Sequence, residues 1–234
     1  MPNELLWFLF LIFNFAVSLA VYRAFGKTGL FVLIVLNITI CNIQVLKLVE
    51  LFGVTTTLGN ILYGSIFFAT DLLGEVHGKR EARRGVIIGF IALVFLTVAM
   101  QTALLFKPAP DDFAQPAMLT LFAILPRIAL ASALAYILSQ IHDVWAFHHI
   151  RRRTQGRHLW LRNNLSTLVS QAIDTTIFVG VAFLGVFDFP VVVSIWWTTY
   201  LIKVLVAASD TPFLYLGRKV ATARAESAAS TADN

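Results

Sequence analysis

The sequence predicts an all-α polytopic membrane protein, a bundle of six to seven transmembrane helices in one domain. Three observations predict it. Of its 234 residues, 58% are hydrophobic and only 13% charged, and the mean hydropathy is +0.79, outside the usual range of soluble domains. Apolar stretches of about 20 residues, the length that crosses roughly 30 Å of hydrocarbon, recur along the chain. The basic residues gather between alternate stretches.

The first stretch covers about residues 5–22. MPNELLWF brings no basic n-region, and Arg23 and Lys27 follow the apolar run instead of preceding it, so it reads as a helix and not as a signal peptide. Further spans are expected at about 29–49, 58–76, 86–106, 119–145, 164–187 and 190–216. Residues 1–220 then make a single transmembrane domain. The small, polar ATARAESAASTADN at 221–234 reads as a disordered cytoplasmic tail.

Loop charge predicts the orientation. Arg23 and Lys27 follow the first span; Lys79, Arg80, Arg83 and Arg84 the third; Arg151, Arg152, Arg153, Arg157 and Arg162 the fifth; Arg218, Lys219 and Arg224 the last. These are 14 of the 18 basic residues. The other loops carry Lys107 with Asp111, Asp112 and Asp188. The positive-inside rule therefore places the N-terminus outside and the C-terminus in the cytoplasm. The pI near 9.6 follows from topology, and the Arg151 to Arg153 run reads as a face toward solvent and lipid headgroups, with no nucleic-acid partner.

Charged groups inside the spans are costly, about 2.5–3.5 kcal/mol each near a helix centre on insertion scales, so they are the candidates for function. Asp71, Asp143 and Asp210 each lie eight residues before a basic cluster. At 1.5 Å per residue that is roughly 12 Å, which predicts three carboxylates at one depth near the inner leaflet. Asp174 lies about 18 Å above Arg162 by the same rise, with Ser170, Gln171 and Thr175 beside it, and is expected to line a cavity. Lys203 shares a helical face with Asp210. Lys47 and Glu50 fall at the outer end of the second span and Arg127 in the outer half of the fifth, while Asn60 joins several amides in the same volume. Lys203 and Lys47 suit ion pairing with the acids as well as they suit ligand contact. Glu75, one turn below Asp71, suits the inner headgroups beside Lys79.

Enzymatic signals are weak. Cys41 is the single cysteine, which excludes an internal disulfide framework and a multi-cysteine metal site. The histidine-rich HDVWAFHH has no zinc-protease spacing, and the chain holds no Gly-rich phosphate loop and no nucleophile motif. Neither a metal nor a cofactor is expected, and an ATPase within the chain is disfavoured.

Three blocks, LGNILYGSIFFATDLLGEVHGKREARRGVIIGF, ILSQIHDVWAFHHIRRRTQGRHLWLRNNLSTLVSQAIDTTIFVGVAF and WWTTYLIKVLVAASDTPFLYLGRK, together with their polar positions, resemble the queuosine precursor transporter family, also known as the vitamin uptake transporter family. The resemblance covers about residues 40–220. It implies a multi-pass protein of the bacterial inner membrane that imports a 7-deazapurine for queuosine salvage: 7-cyano-7-deazaguanine, 7-aminomethyl-7-deazaguanine or the queuine base. The partners so implied are this small molecule and the lipid bilayer; a homodimer is common for bundles of this size, though no residue argues for one. A guanine-like edge presents two N–H donors beside a carbonyl, which a carboxylate and an amide or lysine would complement. Asp174, Lys203, Asn60, Asp71, Asp143, Asp210, Gln171, Lys47 and Arg127 are therefore the expected substrate-binding set, with Tyr63, Phe67, Trp196 or Trp197 available to stack. Two alternatives stay open: a membrane subunit driven by a separate ATPase module, and an intramembrane enzyme built on positions 142–149.

Overall fold

The computed structural model describes the backbone of residues 1–153 and 159–232, with side chains except at 140, 143, 144, 146–148, 150–167, 207, 208, 210–212, 214 and 224–232. It is an α-helical bundle with one short hairpin. α1 (Asn3–Phe25) turns at Gly26 directly into α2 (Lys27–Gln44). The hairpin of β1 (Leu48–Leu51) and β2 (Val54–Thr57) follows, then α3 (Asn60–Leu72), a five-residue π-helical turn (Leu73–His77) and α4 (Lys79–Leu105). α5 (Gln115–Phe122), α6 (Leu125–Arg153), α7 (Leu159–Phe183) and α8 (Phe189–Ala232) complete the chain.

Among the described residues, five helical stretches are long and apolar enough to cross a membrane: Asn3–Phe25, Lys27–Gln44, Lys79–Leu105, Gln115–Ser139, which takes in α5 and the first part of α6, and Phe189–Val206. Leu168–Phe183 is a shorter apolar helix. Their outward faces are apolar, as in α4, where Ile87, Ile91, Val94, Phe95 and Val98 are exposed. Such faces suit lipid, which leaves helix packing to small residues. Gly85, Gly89 and Leu93 are the buried residues of α4, at a spacing of four. A Cβ at Gly85 or Gly89 would lie 2.8 or 3.1 Å from Ile34 of α2, so the absence of a side chain is what brings α2 and α4 together.

The hairpin changes two of the expected spans. The second ends at Gln44 instead of about 49, and the third keeps 13 α-helical residues before the π-helical turn. Leu51 pairs with Val54, leaving Phe52 and Gly53 as a two-residue turn with φ of 54° and 76°. Positive φ at both positions is the signature of a hairpin turn whose twist matches its strands. The β-branched run Val54 to Thr57 favours extended backbone over helix. The hairpin sinks into the bundle: Thr56 and Thr57 are buried, and the Thr55 carbonyl accepts bonds from Ser194 at 3.0 Å and Thr198 at 3.3 Å of α8. Non-helical backbone at such depth is tolerated where protein satisfies it.

The fifth expected span is interrupted as well. α5 stops at Phe122 and α6 begins at Leu125 with Pro126 in its first turn, where the missing N–H of proline costs no helical bond. α8 continues as helix to Ala232, through residues for which the sequence predicts a disordered tail; the alanines of that segment have high helix propensity.

The two ends of the bundle differ. At the hairpin end, Asn3 Nδ2 donates to the Glu50 carbonyl and the Phe52 N–H to Glu4 Oε1, both at 2.9 Å. At the basic end, Lys27 Nζ lies 3.1 Å from Glu81, Arg84 bonds the same carboxylate at 2.7 Å, and Arg218 lies 3.2 Å from Glu75. Glu75, expected beside the headgroups, thus faces a basic residue of α8. One apolar core lies among α1, α2, α3 and α8 around Phe15, Tyr22, Ile34 and Phe68. A second lies among α6, α7 and the start of α8 around Ile128, Phe183 and Ile195.

Candidate functional site

A cavity of about 630 Å³ reaches from beneath the hairpin toward the basic end. Six helices, α2, α3, α4, α6, α7 and α8, contribute to its wall. Thr57 and Gly59 stand at its hairpin end, and Asp71 and Arg83, both exposed, at its other end. Gly59 has φ of 97°, and a Cβ there would lie 2.9 Å from the Cys41 carbonyl. Only glycine both takes that left-handed conformation cheaply and lets the start of α3 press against the end of α2.

The polar centre of the cavity is an ion pair. Lys203 Nζ of α8 donates to Asp174 Oδ2 of α7, with the residues 9% and 4% exposed. The Tyr63 hydroxyl of α3 lies 3.5 Å from the same oxygen, and the Ser139 hydroxyl of α6 lies 3.5 Å from Oδ1. Both contacts are long for O–H···O bonds. The Lys203 ammonium also sits 4.7 Å from the centre of the Tyr63 ring, within range of a cation–π attraction. A carboxylate has about four lone-pair sites and an ammonium three N–H donors, so the pair keeps capacity for a ligand. Together the two charges cancel, which is what lets them persist inside an apolar bundle.

Other polar groups complete the lining. Ser132 of α6 donates to Asn42 Oδ1 of α2 at 3.1 Å, while Asn42 Nδ2 donates to the Ile38 carbonyl at 2.7 Å. Asn60 Nδ2 bonds the Thr57 carbonyl at 3.2 Å, holding the hairpin to the first turn of α3. Thr199 Oγ1 is buried and has no hydrogen-bond partner among the described residues. Aromatic walls come from Tyr63 and Phe67, set edge to face with ring centres 4.9 Å apart, and from Phe90 against Tyr136 at 5.2 Å.

Of the residues expected from sequence, Asp174, Lys203, Asn60 and Asp71 line this one cavity. Gln171 stands one turn from Asp174 and is not part of the wall; its Oε1 is buried without a partner among the described residues. Lys47 is exposed in the connection to β1. Arg127 Nε and Nη2 bond the Val181 and Leu184 carbonyls, closing the end of α7. Such a pairing satisfies carbonyls that a helix end leaves open. The side chains of Asp143 and Asp210 lie outside the described residues, so of the expected tier only Asp71 has a described position. Ser132, Tyr136, Ser139 and Thr199 join the site without being among the residues expected from sequence. The first three recur at intervals of four and three on α6, a polar face that helical spacing reveals.

The family model described as "Putative vitamin uptake transporter" matches residues 57–217. The chain is 49% identical to "Probable queuosine precursor transporter" of Bacillus subtilis (strain 168), covering 94% of this chain and 96% of that one. It is 35% identical to "Queuosine precursor transporter" of Escherichia coli (strain K12), covering 69% and 70%. A protein of Haemophilus influenzae bearing the name "Probable queuosine precursor transporter" is 31% identical over 56% of this chain and 54% of its own. No solved structure matches.

Proposed function

The chain belongs to the vitamin uptake transporter family, a family of transporters and not of enzymes, and from that premise we propose that its cavity carries 7-deazapurine precursors of queuosine inward across the bacterial inner membrane. The observation that carries this reading is the buried Asp174 and Lys203 pair opening on an aromatic-walled cavity. A guanine-like edge offers two adjacent N–H donors to the carboxylate and a carbonyl to the ammonium. The base plane stacks against Tyr63 or Phe67, where an aromatic face contributes about 1–3 kcal/mol per base. Asn60, Asn42 and Thr199 supply further polar contacts to the ring edges.

The cavity wall is packed beneath the hairpin and reaches exposed residues at the basic end. With that end in the cytoplasm, this arrangement corresponds to an inward-facing state, and alternating access would separate the hairpin from α8 on the other side. The two alternative readings, an ATPase-driven subunit and an intramembrane enzyme, have no counterpart among the relatives.

The test is uptake by purified protein in liposomes, with the three deazapurines supplied one at a time, with and without an ion gradient. Labelled base is expected to accumulate unaltered. Asp174→Asn replaces a charge-assisted contact worth about 1.5–3 kcal/mol and is expected to weaken base binding by roughly 10- to 150-fold, measured per folded protein recovered in the membrane, since the variant also strands the Lys203 charge. Undiminished uptake by that variant removes Asp174 from the binding role.

A further inference from the structure

The cavity holds a second carboxylate that the ion pair does not engage. Asp71 lines the wall near its basic end, and among the described residues its side chain makes no hydrogen bond and no ion pair. Asn60, Tyr63, Phe67 and Asp71 follow one another at intervals of three, four and four, so they form one stripe along α3. The stripe leads from Tyr63, whose hydroxyl contacts Asp174, past the Phe67 ring to the Asp71 carboxylate. Eight residues separate Tyr63 from Asp71, a rise of about 12 Å.

The charges at the two ends of the stripe differ. At the upper end Lys203 neutralises Asp174. At the lower end Arg83 of α4 also lines the wall, but it is not within ion-pair distance of Asp71. The lower carboxylate therefore has no partner charge among the described residues, and a bound cation is its natural complement.

We propose that Asp71 is a specificity-determining residue that receives a cationic substituent at the 7-position of the base, and so favours 7-aminomethyl-7-deazaguanine over its neutral 7-cyano counterpart. This rests on the 7-deazapurine reading of the cavity. The aminomethyl base is long enough to reach along the stripe: it extends about 8 Å from its amino edge to the ammonium, with a hydrogen bond of about 2.9 Å beyond each end, against a rise of about 12 Å from Tyr63 to Asp71 along α3. A base held by Asp174 at one end, with its plane along Tyr63 and Phe67, directs its substituent down the stripe. A nitrile at that point offers no proton to Asp71; an ammonium offers three.

The test is equilibrium binding of both bases to purified protein in detergent, reported as the ratio of their dissociation constants. In the unsubstituted protein the aminomethyl base is expected to bind the tighter. Asp71→Asn is expected to reduce that preference at least tenfold, Asp71→Ser to do the same, and Asp71→Glu to preserve it. The Asn and Ser variants are read together so that a folding defect in one does not decide the outcome, with size-exclusion profiles as the check. A ratio that stays within twofold in both neutral variants, or equal loss of both bases, overturns the assignment. Binding of the cyano base alone by the unsubstituted protein also overturns it and leaves the 7-deazapurine reading standing. Binding of neither base overturns that reading as well.

Discussion

Lys203 and Asp174 each pay a desolvation cost that only the other offsets, so neither can be removed alone without consequence. Breaking a buried pair by deleting one partner costs about 3–5 kcal/mol, because the remaining charge is stranded. Lys203→Met is therefore expected to lower thermal stability in detergent by an amount of that order. The double variant Asp174→Asn/Lys203→Met should recover most of the loss while remaining inactive in uptake; a double variant as unstable as the single one would show that the residues are not coupled. Both residues were visible in the sequence as charges in apolar runs. Their partnership was not, since 29 residues separate them and the pairing depends on how α7 and α8 rotate against each other. Ser139 and Tyr63 were still less visible as partners of Asp174, because each comes from another helix.

Among the elements, α3 carries Asn60, Tyr63, Phe67 and Asp71 of the cavity wall, and its position depends on Gly64. A Cβ there would fall 2.1 Å from Val206 Cγ1 of α8, well inside van der Waals contact. Valine is stiff at χ1 and has little freedom to withdraw. Gly64→Ala should push α3 from α8, separate Tyr63 from Lys203 and reduce uptake several-fold, and adding Val206→Ala should restore it. Lack of rescue would show that the glycine matters for some reason other than this contact. The hairpin before α3 was legible only in part. VTTT and the neighbouring Phe52 and Gly53 are strand and turn signals between two expected spans, but the first residues of β1 fall inside the apolar stretch that runs to about 49. Hydropathy measures transfer free energy, which is nearly the same for an apolar strand and an apolar helix. The π-helical turn at LGEVH had no signal that distinguished it from the helix preceding it. Such turns frequently accompany functional sites, and this one places Glu75 opposite Arg218.

At the scale of the whole molecule, the structure collects Lys27, Arg84 and Arg218 at one end of the bundle and the hairpin at the other. The loop charges predict that such a basic end faces the cytoplasm. With the basic end cytoplasmic, a green fluorescent protein fused after Asn234 is expected to fluoresce, and alkaline phosphatase fused at the same point to be inactive. The reverse pattern would invert the inward-facing reading of the cavity. A reporter inserted between Lys107 and Asp112 should behave oppositely to the C-terminal one.

Membrane class, the approximate spans, the expected orientation and the inventory of intramembrane polar groups all came from the sequence by itself. Each is a sum over neighbouring residues: transfer free energy accumulates along a segment, and loop charge is counted residue by residue. Only the tertiary structure decided which polar groups share a cavity. It placed Asp174, Lys203, Asn60 and Asp71 in one wall, and set Lys47 and Arg127 apart from it. That outcome depends on helix rotation and depth, which are set where small residues such as Gly59, Gly64 and Gly85 let distant segments touch. Contacts of this kind are properties of pairs far apart in the chain, and no local sum contains them.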